Sequence, residues 1–312
     1  MIFYRIMAEP WSLDRLSEPS PDLVRFWAES AIPPARILAH YTDLLVAEPV
    51  LRRLQLLTRL GEALRDACYF SESYVAFQTA LSASIPLAGK SAKQTIAVWS
   101  ALGRLMIRMG RSDQAIGCFT TASDLSMDHP TIDPLDAGLL LNNLGLCYLN
   151  LNHPEQAEPF LAHAVAYQRR YNLDPLLGAF GNLATARKLL GRPNEALMVE
   201  GLQRIAATYG PNNLAYVNSC LCYCVDLRER SRYGQAAEVA ATATTAALAT
   251  FGEGHPLVAS ALTEVGLAKI RLGDLTGALD ALTEALRIFV LRGITHSIKE
   301  VAGLIESLDE VV

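Results

Sequence analysis

The chain has 312 residues, 51% of them hydrophobic and 19% charged, so it carries the apolar material for a long core and is not a disordered chain. Its 27 basic and 32 acidic side chains leave a formal charge of −5, which argues against a dedicated nucleic-acid binder. The least charged stretches, 139–151 and 239–251, fall short of the roughly 18 apolar residues a membrane span requires.

The first 49 residues read as an N-terminal cap. Pro21–Ala31 and Ala35–Ala47 have the pattern of two helices, split by Pro33-Pro34. No secretory segment opens the chain, because Glu9, Pro10 and Asp14 interrupt it early. Cysteines 68, 118, 147, 220, 222 and 224 sit inside apolar helical patterns. Reduced, buried thiols in a cytoplasmic protein are the expectation.

From residue 50 to 291 the chain repeats itself. One unit runs Trp99-x2-Leu102-Gly103-x2-Met106, then Ala115-x3-Phe119 and Ala122. Others begin at Leu57 (Gly61, then Ser73-x3-Phe77), Leu141 (Gly145, then Ala157-x3-Leu161) and Leu262 (Gly266, then Ala278-x3-Leu282). Two weaker copies centre on Phe180-x2-Leu183-Ala184 with Ala196, and on Cys220-x2-Tyr223-Cys224 with Ala236.

With Trp99 set at position 4, the small residue of the first helix (A) stands at position 8: residues 61, 103, 145, 184, 224 and 266. The small residue of the second helix (B) follows 12 positions later in every copy. Apolar positions 4, 7 and 11 share one helical face, and the small residues let the paired helices approach. Gly110-Arg111-Ser112-Asp113, Asn152-His153-Pro154-Glu155, Gly191-Arg192-Pro193-Asn194 and Gly273-Asp274 mark the turns. Neither helix hides its apolar face alone, so neighbouring units stack. After residue 291, Ser297–Asp309 reads as a closing amphipathic helix, with Ile298, Val301, Leu304, Ile305 and Leu308 on its apolar face.

The pattern resembles the tetratricopeptide repeat. Its longer unit, with His255-Pro256 before a helix A and Leu141-Asn142-Asn143-Leu144-Gly145-Leu146-Cys147-Tyr148 within one, is similar to the kinesin-light-chain subtype. The resemblance implies an all-α, right-handed superhelical solenoid of about six helix-turn-helix repeats. Segments 1–49 and 292–312 would cap the array over 50–291.

Chemistry of the catalytic kind is not legible. There is no Gly-rich phosphate loop, His-Glu-x-x-His helix or Gly-x-Ser-x-Gly elbow, and the six histidines are dispersed. No catalytic residue, metal site or cofactor is expected. In Cys220-x-Cys222-x-Cys224, the outer pair shares one helical face and fits core packing, while Cys222 points away. A reactive thiol at Cys222 is the sharper alternative.

The expected function is therefore binding. In a stacked array the A helices line an inner face suited to an extended partner segment. Asn143 and Asn182 occupy position 6 of successive copies, beside Asn142, and an amide can both donate to and accept from a peptide backbone. Tetratricopeptide domains use Asn there in that way, so the resemblance implies the same role.

Near the end of helix A stand Arg65, Arg108, Lys188, Arg228 and Arg271, with Arg104 one turn earlier in the second copy. Two explanations stand: cations favoured by the helix C-terminus, or a positive stripe that selects an acidic partner. The family's carboxylate clamp is not reproduced, since Ser100, Arg104, Asn143, Gly178 and Asn182 hold its places. The sequence thus points to a non-enzymatic scaffold for an extended, acidic protein or peptide segment, acting away from nucleic acid and membrane. Its binding residues would be Arg104, Arg108, Asn142, Asn143, Asn182, Lys188 and Arg228. A peptide- or metabolite-responsive sensor is the rival, and an enzyme built on the solenoid is the remotest reading.

Overall fold

The computed structural model describes residues 33–84, 92–127, 133–173 and 178–309. Within them the secondary structure is helical, with no strand. The helices are α1 (Pro34–Leu44, followed by a 3-10 turn Leu45–Ala47), α2 (Val50–Asp66), α3 (Phe70–Ser84), α4 (Ala92–Arg108), α5 (Ser112–Met127), α6 (Pro134–Asn150) and α7 (Pro154–Tyr171). They continue as α8 (Gly178–Leu189), α9 (Glu195–Tyr209), α10 (Leu214–Glu229), α11 (Tyr233–Phe251), α12 (Pro256–Leu272), α13 (Leu275–Arg292) and α14 (Thr295–Asp309). Helices α2 to α13 are the six A/B pairs. The expected helix over Pro21–Ala31 lies outside the described residues.

The chain divides into two compact units inside α7, between Tyr167 and Gln168. In the first, Leu54, Leu57, Leu60, Phe77, Leu105 and Phe119 belong to one buried cluster. In the second, Val217, Val258, Leu282, Ile288, Val301 and Leu308 belong to one buried cluster, so the apolar face of α14 covers the last pair as expected.

Each A helix ends the same way. Position 15 is left-handed in all six copies: Cys68, Gly110, Asn152, Gly191, Ser231 and Gly273, with φ between 60° and 81°. The next amide then reaches back five residues, as in Arg111 N–H to the Met106 carbonyl at 2.9 Å and His153 N–H to the Tyr148 carbonyl at 2.8 Å. This Schellman closure satisfies the last carbonyls of helix A and turns the chain directly into helix B. Several A helices start on side-chain caps. Asp133 accepts from Leu135 N–H at 2.9 Å, and the His255 Nδ1 accepts from Leu257 N–H at 3.2 Å, each ahead of a proline at the first helical position.

The pairing of the helices explains position 8. A Cβ on Gly61, Gly103, Gly145 or Gly266 would lie within 2.4–2.6 Å of Phe77, Phe119, Leu161 or Leu282, the residue at position 24 of the same copy. A large side chain on helix B thus fills the place of the missing one on helix A. In the fifth copy the sizes are exchanged, with Cys224 at position 8 and Ala240 at position 24, both buried. Positions 8 and 20 are also tied directly. Ser73 Oγ donates to the Gly61 carbonyl at 2.7 Å, and the Cys224 thiol donates to the Ala236 carbonyl at 3.2 Å.

The fourth copy departs from the expected spacing. Ala196 is exposed, and the next residue, Leu197, is buried instead, followed by Gly201 and Ile205. Helix B has slipped by one residue, so the separation from Ala184 is 13 rather than 12. The cause lies in the turn. The other B helices begin three residues before position 20, whereas α9 begins only at Glu195, after Pro193 and Asn194. Asn194 turns inward and is 2% exposed. The knob also changes sides: a Cβ on Gly201 would stand 2.9 Å from Phe180 Cβ, so the large residue is now on helix A.

Candidate partner-binding face

In the first unit, α2, α4 and α6 carry the predicted side chains. Arg104 is half-buried, and its guanidinium donates to Glu62 Oε1 at 2.6 Å, joining the A helices of the first two copies. Burial pulls its pKa down, and the Glu62 carboxylate works against that. Arg108 is exposed at the end of α4 and makes no ion pair among the described residues. Asn142 and Asn143 are half-buried on α6.

In the second unit, Asn182 is half-buried on α8. Lys188 pairs with Glu229, and Arg228 Nε reaches Glu264 Oε2 at 3.1 Å, each link joining one A helix to the next. Arg271 donates to Tyr233 OH at 2.7 Å and lies 5.0 Å from the centre of its ring. Arg65 bridges to Asp66 at 2.8 Å. The cations expected to form a positive stripe are therefore mostly matched. Glu62, Glu229 and Glu264 stand among them on the same A helices, and Arg108 is the cation left open at its helix end.

The second unit also holds an open cleft of about 300 Å³ that sequence reasoning missed. Ala184, Thr185 and Lys188 of α8 form one wall, Leu221, Cys222 and Val225 of α10 the other, and Asn194, Met198 and Asp226 complete the lining. The slipped register produces this arrangement by bringing Asn194 and Met198 to the face where α8 meets α10.

Asp226 sits at position 10, where the other copies have Ala63, Leu105, Cys147, Ala186 and Ala268, all buried. It is itself only 2% exposed. The Asn194 amide donates to its Oδ1 at 3.2 Å, Arg230 Nε lies 2.9 Å from its Oδ2, and Arg230 also donates to the Asn194 side-chain oxygen Oδ1. A buried carboxylate requires such partners. The signal was present in the sequence as one acid at an otherwise apolar repeat position.

Cys222 is exposed on the cleft wall, but burial of the thiol group raises its pKa, against the pull of the Lys188 ammonium. A raised value disfavours the thiolate that nucleophilic chemistry needs. Cys220 and Cys224 are buried, as core packing requires, with their pKa values pushed up to about 11 and about 12 by burial. Among the described residues no group of three or more His, Cys, Asp or Glu is placed to hold a metal ion. No described helix is long and apolar enough to cross a membrane.

Two tetratricopeptide-repeat family models match the chain, over residues 98–131 and 140–171. These spans coincide with the α4/α5 and α6/α7 pairs, whose glycine knobs and left-handed turns are described above. These two spans of the chain carry tetratricopeptide repeats. No curated protein matches its sequence.

Solved structures share the fold at low identity. A putative kinesin light chain from Podospora anserina with nearly identical repeats is 16% identical, with a TM-score of 0.53 over 61% of this chain and 92% of its own. The apo quorum sensor NprR from B. thuringiensis is 12% identical, with a TM-score of 0.61 over 91% of this chain and 78% of its own. A Rap protein complexed with competence and sporulation factor is 11% identical, with a TM-score of 0.58 over 99% of this chain and 90% of its own.

Proposed function

We propose that this protein is a cytoplasmic, non-enzymatic binding module. It holds an extended segment of a protein or peptide partner on the face formed by its A helices. The observation that carries the reading is the cleft between α8 and α10, an apolar-walled depression on the A-helix face with Asn182 on the same α8 helix. In the first unit, Asn142 and Asn143 stand on α6, also an A helix. Backbone contacts from these amides give general affinity, and side-chain subsites such as the cleft give selectivity. The acid preference expected from the cations now rests mainly on Arg108, because Arg104, Lys188 and Arg228 already have carboxylate partners. An acidic side chain reaching those three must displace an internal carboxylate.

A peptide-responsive regulator is the second reading. Its support is the shared fold with a quorum sensor and with a Rap protein complexed with competence and sporulation factor. In either reading the occupant is an extended chain.

The test begins with partner fragments recovered by affinity capture from the native host and titrated against the purified protein. Asn143→Ala and Asn182→Ala are each expected to weaken every fragment about tenfold, with the helical circular dichroism unchanged. Affinity unchanged in both variants would move the binding surface off the A helices.

A further inference from the structure

We infer that the cleft between α8 and α10 is a specificity pocket for one uncharged, apolar side chain of the bound segment. The inference rests on the segment-binding reading above and names the chemistry of one of its positions. Three observations carry it.

The first is the lining. Ala184, Met198, Leu221 and Val225 present apolar atoms, and Thr185 and Cys222 are short and weakly polar. The volume of about 300 Å³ lies at the small end for ligand sites. Along an extended segment, neighbouring side chains point to opposite faces about 3.3 Å apart, so a depression of this size receives one of them.

The second is the charge balance. Of the polar groups of the lining, Asn194 and Asp226 are bound to each other and to Arg230, and the Thr185 hydroxyl donates to the Gly181 carbonyl at 2.9 Å. Lys188, the one cation of the lining, is paired with Glu229. No charge in the cleft is left over to offset the desolvation of an ionised ligand group. An apolar group needs no such partner and gains by leaving water.

The third is the contrast with sister junctions. Between α2 and α4 the corresponding space is crossed by the Glu62–Arg104 bridge. Between α10 and α12 it is crossed by Arg228–Glu264, with the Cys224 sulfur 3.8 Å from the same carboxylate. Between α8 and α10, Thr185 and Val225 occupy the positions held by Glu62 and Arg104 in the first two copies and cannot build a bridge there; the link between these helices, Lys188–Glu229, stands three and four residues further along them. The opening is thus a property of this junction's residues.

The cysteines supply a test that needs no partner. Cys222 lines the cleft and Cys68 is exposed on the other unit, while the remaining four are buried. The intact protein is labelled with N-benzylmaleimide and with a carboxylate-tailed maleimide. Rates at the two sites are resolved by peptide mass spectrometry. The benzyl-to-carboxylate rate ratio at Cys222 is expected to exceed that at Cys68 by about tenfold, the scale of burying part of an aromatic group. Val225→Glu should bring the two ratios together, and Thr185→Glu at the exposed rim does the same should the first variant unfold. Equal ratios in the wild type, or a carboxylate preference at Cys222, would overturn the apolar pocket whatever partner titrations show. If the benzyl preference is present, Thr185→Glu should weaken partner fragments about tenfold. Unchanged affinity there would remove the cleft from the binding surface, and the Asn143 and Asn182 variants show separately whether the A-helix reading falls with it.

Discussion

The third and fourth copies solve the same packing problem in opposite ways. In the third, Gly145 on helix A receives Leu161 of helix B, and Ala157 is fully buried beside them. In the fourth, Phe180 on helix A is received by Gly201 of helix B, and Ala196, the counterpart of Ala157 by count, faces solvent. What is kept is one large side chain against one missing side chain, because close-packed helices tolerate neither a clash nor a void. Which helix supplies each is free to change, and with it the register of the pair. The price of the change is polar: the turn that delays α9 puts Asn194 inside, where Asp226 and Arg230 must satisfy it.

A charge placed at the two nominally equivalent alanines should separate the two copies most widely. Ala157→Lys puts an ammonium into a site with no exposure, and should cost about 3–5 kcal/mol. Ala196→Lys should stay within about 0.5 kcal/mol, as at an ordinary surface position. Urea unfolding followed by circular dichroism measures both. Equal losses would restore the uniform spacing of 12 and contradict the slipped helix.

Most of the fold was legible from the residues, because its determinants are local and periodic. The position-8 glycines, the turns at Gly110, Asn152, Gly191 and Gly273 and the apolar face of α14 follow from spacing alone, and the structure puts each where it was expected; Cys68, read as part of an apolar helix, is instead an exposed left-handed turn residue. The fourth copy was misread for a physical reason. Counting from Ala184 lands on an alanine at 196, and nothing in one dimension distinguishes an alanine in the core from one in solvent. The informative residues were Pro193, Asn194 and Asp226, which act together across two copies. The proposed binding face was legible only as a set of positions. Which cations are neutralised depends on carboxylates about 36–42 residues away, as in Arg104 with Glu62 and Arg228 with Glu264.

A milder change sharpens the account of the polar cluster. Asp226→Leu leaves the Asn194 amide buried without its acceptor and should cost about 1–3 kcal/mol. The Arg230 side chain is 37% exposed and can turn to water, so it adds little to that loss. Asn194→Leu combined with Asp226→Leu removes both polar partners and should recover part of the stability. If the cluster exists to hold the slipped register, the double variant should still lose hydrogen-exchange protection across α9 while α6 and α7 keep theirs. Full protection of α9 would show that the Gly201–Phe180 contact alone sets the register.

The smallest expected effect lies in the turns, where the regular and irregular copies are alike. Position 15 is left-handed in all six, yet it is glycine in only three. Ser231 has φ of 61°, a conformation that costs a residue with a Cβ about 1–2 kcal/mol relative to the right-handed one. Glycine avoids that cost but loses more backbone freedom on folding, about 0.5–1 kcal/mol. The Ser231 hydroxyl also accepts from Tyr233 OH at 3.1 Å, an exposed bond of little weight. Ser231→Gly should therefore stabilise the second unit by about 0.5 kcal/mol, and Gly191→Ser should destabilise it by a similar amount. Asn152→Gly should change less, because asparagine visits this region more readily than serine. Urea midpoints of the three variants test the ordering. If Ser231→Gly lowers the midpoint, the hydroxyl rather than the backbone governs this turn, and the shared geometry of the six turns would conceal different energetics.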